Sequence, residues 1–244
     1  MNTKRNISTF FGFAFILIMV YPQKPRVKRL PALDDEPLYF GFNFGFNTMD
    51  FGFGQNTAIS GNETSVFPDL YRLQLGFNVG VVTNIRLCKY LDLRIMPGIA
   101  FNERHIYFIN ILNESPEFGL QKINSSFADL PILIKYGAER INNMKPYFVF
   151  GENTRFDLAS KRDYDEADVE IIRLKQLDYY IETGIGCDFY LEYFRFSTEI
   201  KYSYGLRDVL AGDDHVGNRE FVSSIDFLNS RMIFLTFYFE GGHF

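Results

Sequence analysis

The chain has 244 residues, carries 25 basic and 30 acidic side chains for a net charge of −5, and is 47% hydrophobic and 18% aromatic. That length is ample for a sizeable core, the hydrophobic content is too high for a disordered chain, and the acidic balance lacks the basic face of a general nucleic-acid binder. Two cysteines cannot build a disulfide framework, and 28 Phe, 15 Tyr and 19 Gly without any Trp point to aromatic strands rather than a helical enzyme built from Leu and Ala.

Lys4 and Arg5 precede an apolar run from Phe10 to Val20. A basic start and an apolar run of this length match a secretory signal and are too short to span a bilayer comfortably. Met19-Val20-Tyr21-Pro22 offers no Ala-x-Ala cleavage pattern. Residues 1–21 therefore read as a signal peptide or as an uncleaved N-terminal anchor. Lys24, Arg26, Lys28 and Arg29 then lead through a Pro-punctuated stretch to Pro37, so 22–37 reads as a basic periplasmic linker. No later segment is apolar for long enough to be a transmembrane helix.

From Leu38 onward, across 38–244, the dominant period is two. Phe40, Phe42, Phe44 and Phe46 alternate with Gly and Asn. Leu73, Leu75, Phe77, Val79 and Val81 alternate with Gln74, Gly76, Asn78 and Gly80. A third run sets Leu91, Leu93, Ile95, Ile99 and Phe101 against Asp92, Arg94, Gly98 and Asn102. The fourth sets Leu130, Ile132, Ile134 and Tyr136 against Asp129, Leu133 and Lys135. A fifth, less regular run spans Lys145 to Phe156. The sixth sets Tyr179, Ile181, Ile185 and Phe189 against Asp178, Glu182, Gly184, Gly186 and Asp188. The seventh sets Phe196, Ile200, Tyr202 and Tyr204 against Arg195, Glu199, Lys201 and Arg207, and the eighth runs from Ser230 to Phe239. Side chains at i and i+2 share a face of a strand, so each run has an apolar face and a polar or Gly face. Helical spacing fits none of them as well.

Connections between the runs alternate long and short: Asp50–Leu70, Ile85–Tyr90, Glu103–Gln121, Ala138–Met144, Asp157–Lys175, Glu192–Tyr193, Asp208–Asn229. Tight turns at one end and long loops at the other are the signature of an outer-membrane barrel. Eight runs of about ten residues, each enough to cross a bilayer as a tilted strand, predict an all-β, eight-stranded antiparallel up-and-down transmembrane β-barrel with both termini on the periplasmic side. A soluble barrel would turn its apolar face inward, whereas a membrane barrel turns it outward. The polar face carries Arg72, Asp92, Arg94, Asp129, Lys135, Arg155, Asp178, Glu182, Asp188, Glu192, Arg195, Glu199, Lys201 and Arg207, seven of each sign. Opposite charges on neighbouring strands can satisfy one another, so these residues are expected to form a paired charge network filling the lumen. The opposite face is almost entirely Phe, Tyr, Leu, Ile and Val, as lipid requires. Tyr39, Tyr71, Tyr90, Tyr136, Tyr193, Tyr204 and Tyr238 near the run ends are candidates for interfacial belts.

Eight strands leave an interior just wide enough for side chains, which excludes a general diffusion porin. Catalytic groups are sparse. Of three His, His105 follows the third run, and Asp213-Asp214-His215 in the last long connection reads as a solvated loop rather than a metal site. Ser125, Ser126, Ser223 and Ser224 lack a nucleophile-elbow pattern. Cys88 and Cys187 fall on strands too far apart for a bridge and are expected as free thiols. Residues Lys161 to Lys175 are the most charged stretch and read as a solvated loop, with a partner contact as the alternative. No cofactor, metal, nucleic acid or small-molecule substrate is expected.

Phe127-Ala-Asp-Leu-Pro-Ile-Leu-Ile-Lys-Tyr136 resembles the aromatic–x–x–Ile/Leu–Pro–aliphatic–Lys–Tyr strand of small outer-membrane barrels in the PorT-like group. Its matching positions include Pro131, Lys135 and Tyr136. Lys145-Pro-Tyr-Phe-Val-Phe-Gly151, with Pro146, Tyr147 and Gly151, is similar to the group's next strand. Glu199-Ile-Lys-Tyr-Ser-Tyr-Gly-Leu206, with Tyr204, Gly205 and Leu206, resembles its Tyr–Ser–Tyr–Gly–Leu strand end, and Asn229 to Glu240 resembles its closing strand. The resemblance covers most of Leu38–Glu240. It departs at the signal, where the small residue of a cleavage site is missing. It implies a multi-pass barrel of the cell outer membrane that contacts lipid and the protein partners of a secretion machinery. In the group's namesake, that machinery is the type IX system, which exports proteins across the outer membrane. It implies no catalytic residues. The alternative is a structural or adhesion-type small barrel acting through its surface loops.

Overall fold

The computed structural model describes residues 27–34, 36–55, 66–69, 74–110, 120–158, 175–209 and 225–241. A 3-10 turn at Pro31–Asp34 is followed by ten strands: β1 (Leu38–Gln55), β2 (Val66–Asp69), β3 (Leu75–Cys88), β4 (Leu91–Ile95), β5 (Gly98–Asn110), β6 (Leu120–Gly137), β7 (Met144–Asp157), β8 (Leu177–Tyr190), β9 (Arg195–Gly205) and β10 (Ile225–Gly241). Every pairing is antiparallel, and β1 closes the sheet by pairing with both β10 and β3.

The ten strands make eight staves. β4 and β5 form one of them, interrupted at Met96-Pro97, because Pro has no N–H to give to the ladder. The register is the same on either side of the break: Ile95 faces Ile132 and Gly98 faces Asp129 on β6, while Thr83 and Gly80 of β3 face the same two residues. The Pro97 carbonyl still accepts from Val81 N–H at 3.0 Å. β2 pairs only with the far end of β5, prolonging the wall within the first long connection.

Successive cross-strand partners run Met49, Met232, Ser203, Glu182, Gly151, Leu133, Arg94, Asn84 and back to Tyr39, ten residues before the start on β1. That stagger forces the strands to tilt by roughly 35–45° from the barrel axis. It leaves an interior that side chains can fill.

Strands of up to 18 residues exceed the ten or so that the apolar alternation marks. The reason is visible on β6. Outward-facing Leu130, Ile132, Ile134 and Tyr136 are exposed, but the strand continues through Ser126 and Asn124, which face outward without being apolar. The wall rises beyond the apolar belt at the end where the long connections lie. At the other end β3 and β4 are joined by Lys89-Tyr90 alone, and both termini of the barrel meet where Phe40 pairs with Gly241.

The exterior is apolar. Phe42 stacks on Phe239 at 5.1 Å between ring centroids, and Phe44, Phe194 and Phe196 gather around the same ring at 5.8, 5.8 and 5.3 Å. Rings that remain about half exposed after such packing, such as Phe42 at 57%, belong in an apolar solvent.

Candidate functional site

Among the described residues, the inward parity of the strands collects seven basic and seven acidic buried side chains: Arg94, Arg104, Lys135, Lys145, Arg155, Arg195 and Lys201 with Asp92, Asp157, Asp178, Glu182, Asp188, Glu199 and Glu240. Asp129 joins them at the lumen wall through Arg155. Charges removed from water persist only when paired and hydrogen-bonded, and the lumen is organised around that requirement.

Glu240, one residue from the short-turn end of β10, is the hub of the lumenal network. Arg195 donates to its Oε2 from both Nε (2.8 Å) and Nη2 (2.5 Å), and Arg94 Nη2 donates to Oε1 at 3.2 Å. Arg94 also donates to Glu199 Oε2 at 2.9 Å and to Asn84 Oδ1 at 2.8 Å. Glu199 accepts the Tyr238 hydroxyl at 2.7 Å, and the Tyr238 ring lies 4.6 Å from the Arg94 guanidinium. Beside this group Lys135 donates to both oxygens of Asp188 at 2.8 Å, and Ser197 donates to the same carboxylate. Towards the long connections, Arg155 bridges Asp129 (2.9 Å) and Glu182 (2.7 Å), and Lys201 meets the other oxygen of Glu182 at 2.6 Å. Above them Arg104 donates to Ser125 (2.7 Å) and Ser230 (3.2 Å), with its guanidinium 4.2 Å from the Phe51 ring centre. Charged groups thus alternate with aromatic faces, and cation–π contacts supply partners that hydrogen bonds leave over.

A void of about 30 Å³ remains among Asn43, Asn78, Asn153 and Lys201. It is on the scale of one water molecule. The unpartnered carbonyl oxygens of Asn78 and Asn153 belong to its lining residues.

The N-terminal segment closes the short-turn end. Within the stretch that reads from sequence as a linker, residues 31–34 form a 3-10 turn whose Leu33 packs with Tyr39, Tyr190 and Leu30. Arg140, in the β6–β7 turn, pairs with Asp34 at 2.7 Å, stacks on the Tyr190 ring at 3.6 Å and donates to the Arg29 carbonyl. Asn143 accepts from Arg29 N–H at 3.0 Å, and Arg86 reaches the Leu33 carbonyl at 3.5 Å. Leu30 holds φ at 48°, a conformation that costs a side-chain-bearing residue about 1–2 kcal/mol and that these contacts hold in place.

Of the charged residues singled out in the sequence, Asp92, Arg94, Asp129, Lys135, Arg155, Asp178, Glu182, Asp188, Arg195, Glu199 and Lys201 lie at the lumen. Glu192 and Arg207 do not: both are exposed, because β8 ends at Tyr190 and β9 at Gly205, beyond which strand parity no longer fixes a face. Arg72 lies outside the described residues, as do residues 1–21, His215, His243, Ser223, Ser224 and the stretch 161–174. Tyr39 and Tyr238 are lumenal, each 1% exposed, and are not interfacial belt residues. Glu240, Arg104, Asp157 and Lys145 were not among the lumenal charges expected from the sequence, although the alternation of Glu240 with Phe239 and Phe237 marks the first. Among the family-motif positions, Lys135 and Tyr147 face the lumen, whereas Tyr136 and Leu206 are exposed outside. Pro131 points inward, Pro146 lies on the outer wall, and Tyr204 accepts from Asn229 at 3.1 Å. Gly151 and Gly205 sit where neighbouring backbone approaches closely. Cys88 and Cys187 are both free. Among the described residues no group of three or more His, Cys, Asp or Glu could hold a metal ion.

No curated protein matches the sequence. Among solved structures the chain is similar to the outer membrane protein OprG of Pseudomonas aeruginosa, at 12% identity over 84% of this chain and 95% of that one, with a TM-score of 0.47. It is also similar to the N-terminal β-barrel domain of Pseudomonas aeruginosa OprF, at 11% identity over 84% and 98%, with a TM-score of 0.37. A third is Ail, the attachment invasion locus protein of Yersinia pestis, in complex with the heparin analogue sucrose octasulfate: 10% identity over 84% and 99%, TM-score 0.37. The model of the outer membrane protein beta-barrel domain matches residues 23–211. With that match over most of its length, a closed eight-stave wall, an apolar exterior and a charged interior, the chain belongs to the outer membrane protein beta-barrel domain family.

Proposed function

We propose that this protein is a non-enzymatic, plugged outer-membrane barrel that serves as an accessory or assembly component of the type IX secretion system, needed for export of cargo proteins across the outer membrane. The observation that carries the plugged reading is the ion-paired lumen, in which Arg94 ties strands on opposite sides of the barrel together. A barrel filled in this way offers its outer wall, rims and connections to partners instead of a passage. The type IX assignment rests on the strand motifs around Pro131, Pro146 and Tyr204 and on their resemblance to the PorT-like group. In this reading residues 1–21 direct export, the short-turn end with the N-terminal segment faces the periplasm, and no small-molecule substrate is turned over.

Deletion followed by fractionation tests the assignment. Cargo proteins of the system should accumulate in the periplasm and disappear from the surface and medium. Normal export with altered surface binding would overturn it in favour of an adhesion-type barrel acting through its loops.

A further inference from the structure

The outer wall is not uniform. On β1 the outward positions are Phe40, Phe42, Phe44 and Phe46, a continuous bulky coat. Across β6 to β9 the wall instead holds a hollow of about 570 Å³, whose lining includes the small Ala138, Gly186, Cys187 and Thr198 beside Phe148 and Ile200. Along the same β7 face, four residues from Phe148 and roughly 13 Å on at about 3.3 Å per residue, stands Glu152.

Glu152 points outward and is exposed. Its cross-strand partners are Ile132 and Ile181, both outward and 45% and 40% exposed. Along the strand it has exposed Phe150 on one side and exposed Phe156 beyond Thr154 on the other. The carboxylate therefore stands inside the apolar belt and not at its edge. Thr154 donates to its Oε1 at 2.9 Å, but among the described residues no basic side chain reaches it. The outward Asp50, by contrast, lies directly opposite Arg231.

A carboxylate facing acyl chains is costly, and ionisable groups inside a membrane mark contacts or functional paths. Small side chains at a membrane-embedded surface let another backbone approach closely. Together, these features distinguish this wall from the Phe coat opposite. A second copy of the chain fits poorly, because a two-fold contact centred here would bring two Glu152 carboxylates together. We infer that the β6–β9 wall docks a membrane-embedded protein partner whose segment fills the hollow and sets a basic side chain against Glu152. This goes beyond the secretion assignment and relies on it only for the existence of a partner. The test reads contact, not export, so either can fail while the other stands.

Dicyclohexylcarbodiimide, an apolar reagent that attacks protonated carboxyls from the lipid phase, reports whether Glu152 faces acyl chains. Its adduct on the Glu152 peptide is measured by mass spectrometry in native outer membranes and in the purified full chain reconstituted at low density in phosphatidylcholine vesicles. Labelling at least fivefold lower in native membranes is expected. The Glu152→Gln variant gives no adduct at that peptide, and Thr198→Phe, which fills the hollow, restores labelling in native membranes while the barrel keeps its heat-modifiable gel mobility. Equal labelling in both settings would mean that lipid alone covers the wall. Protection persisting in the vesicles would mean that the chain or its own copies shield the carboxylate. Either result overturns the inference.

Discussion

Arg94 and Glu240 meet across the lumen at 3.2 Å, although β4 and β10 are not neighbours in the sheet. Neighbouring staves are joined by backbone ladders anyway. A bond that spans the interior does something else: it occupies the space through which a solute would have to pass.

The purified full chain in planar bilayers should therefore show no steady conductance. A stable, porin-sized current from the wild-type barrel would contradict a lumen closed by Arg94, Arg195, Glu199 and Glu240.

Glu240→Gln should destabilise the barrel by about 3–5 kcal/mol, because Arg94 and Arg195 would lose their shared buried counter-charge. Arg195→Met combined with Glu240→Leu should cost less than the sum of the two single changes, since the pair is removed together. Urea unfolding from lipid vesicles measures Glu240→Gln, the two single changes and the double variant. Additive losses would show that the charges do not act as one unit.

Arg140→Ala should loosen the N-terminal segment without unfolding the wall. It removes the Asp34 pair and the stacking on Tyr190, together worth about 1–2 kcal/mol at this partly exposed rim. Protease cleavage within Val27 to Asp34 should rise at least fivefold, with heat-modifiable gel mobility retained. An unchanged cleavage rate would show that other contacts hold the segment.

Gly151→Ala should destabilise the β6–β7 seam by about 1–3 kcal/mol. An added Cβ there would lie 2.2 Å from the Ile132 carbonyl oxygen and 2.8 Å from the Leu133 Cα, both backbone atoms that cannot swing aside. The unfolding midpoint reports this, and Phe150→Leu on the outward face of the same strand should move it far less.

Native protein denatured without reductant should titrate with two thiols. Cys88 ends β3, and Cys187 lies on β8 against the outer hollow, with no disulfide between them.

The staves were legible because a half-lipid, half-lumen strand imposes a period of two, as Leu130 to Tyr136 show. The stave broken at Pro97 was legible for the same reason, since the side-chain alternation continues in register through the interruption. The ends were less legible. Glu192 and Arg207 follow the parity but lie past the last ladder bonds, so their side chains turn to the surface. Tyr39 and Tyr238 had the composition of belt residues, yet each hydroxyl finds a lumenal carboxylate, Asp92 and Glu199. Residues 31–34 lie in the Pro-punctuated stretch that reads as a linker, but the open end of the barrel offers Tyr39 and Tyr190 as a seat for Leu33.

By itself, then, the sequence determined the barrel, its strand number and which face of each strand is polar, because alternation and turn length are local properties. Only the tertiary structure decided who pairs with whom. The stagger from Met49 to Tyr39 sets which lumenal charges share a level, and closure brings β4 against β9 and β10. It also left Glu152 standing in the apolar belt without a described cation, since a strand's period fixes a side chain's face but not its neighbours on other strands.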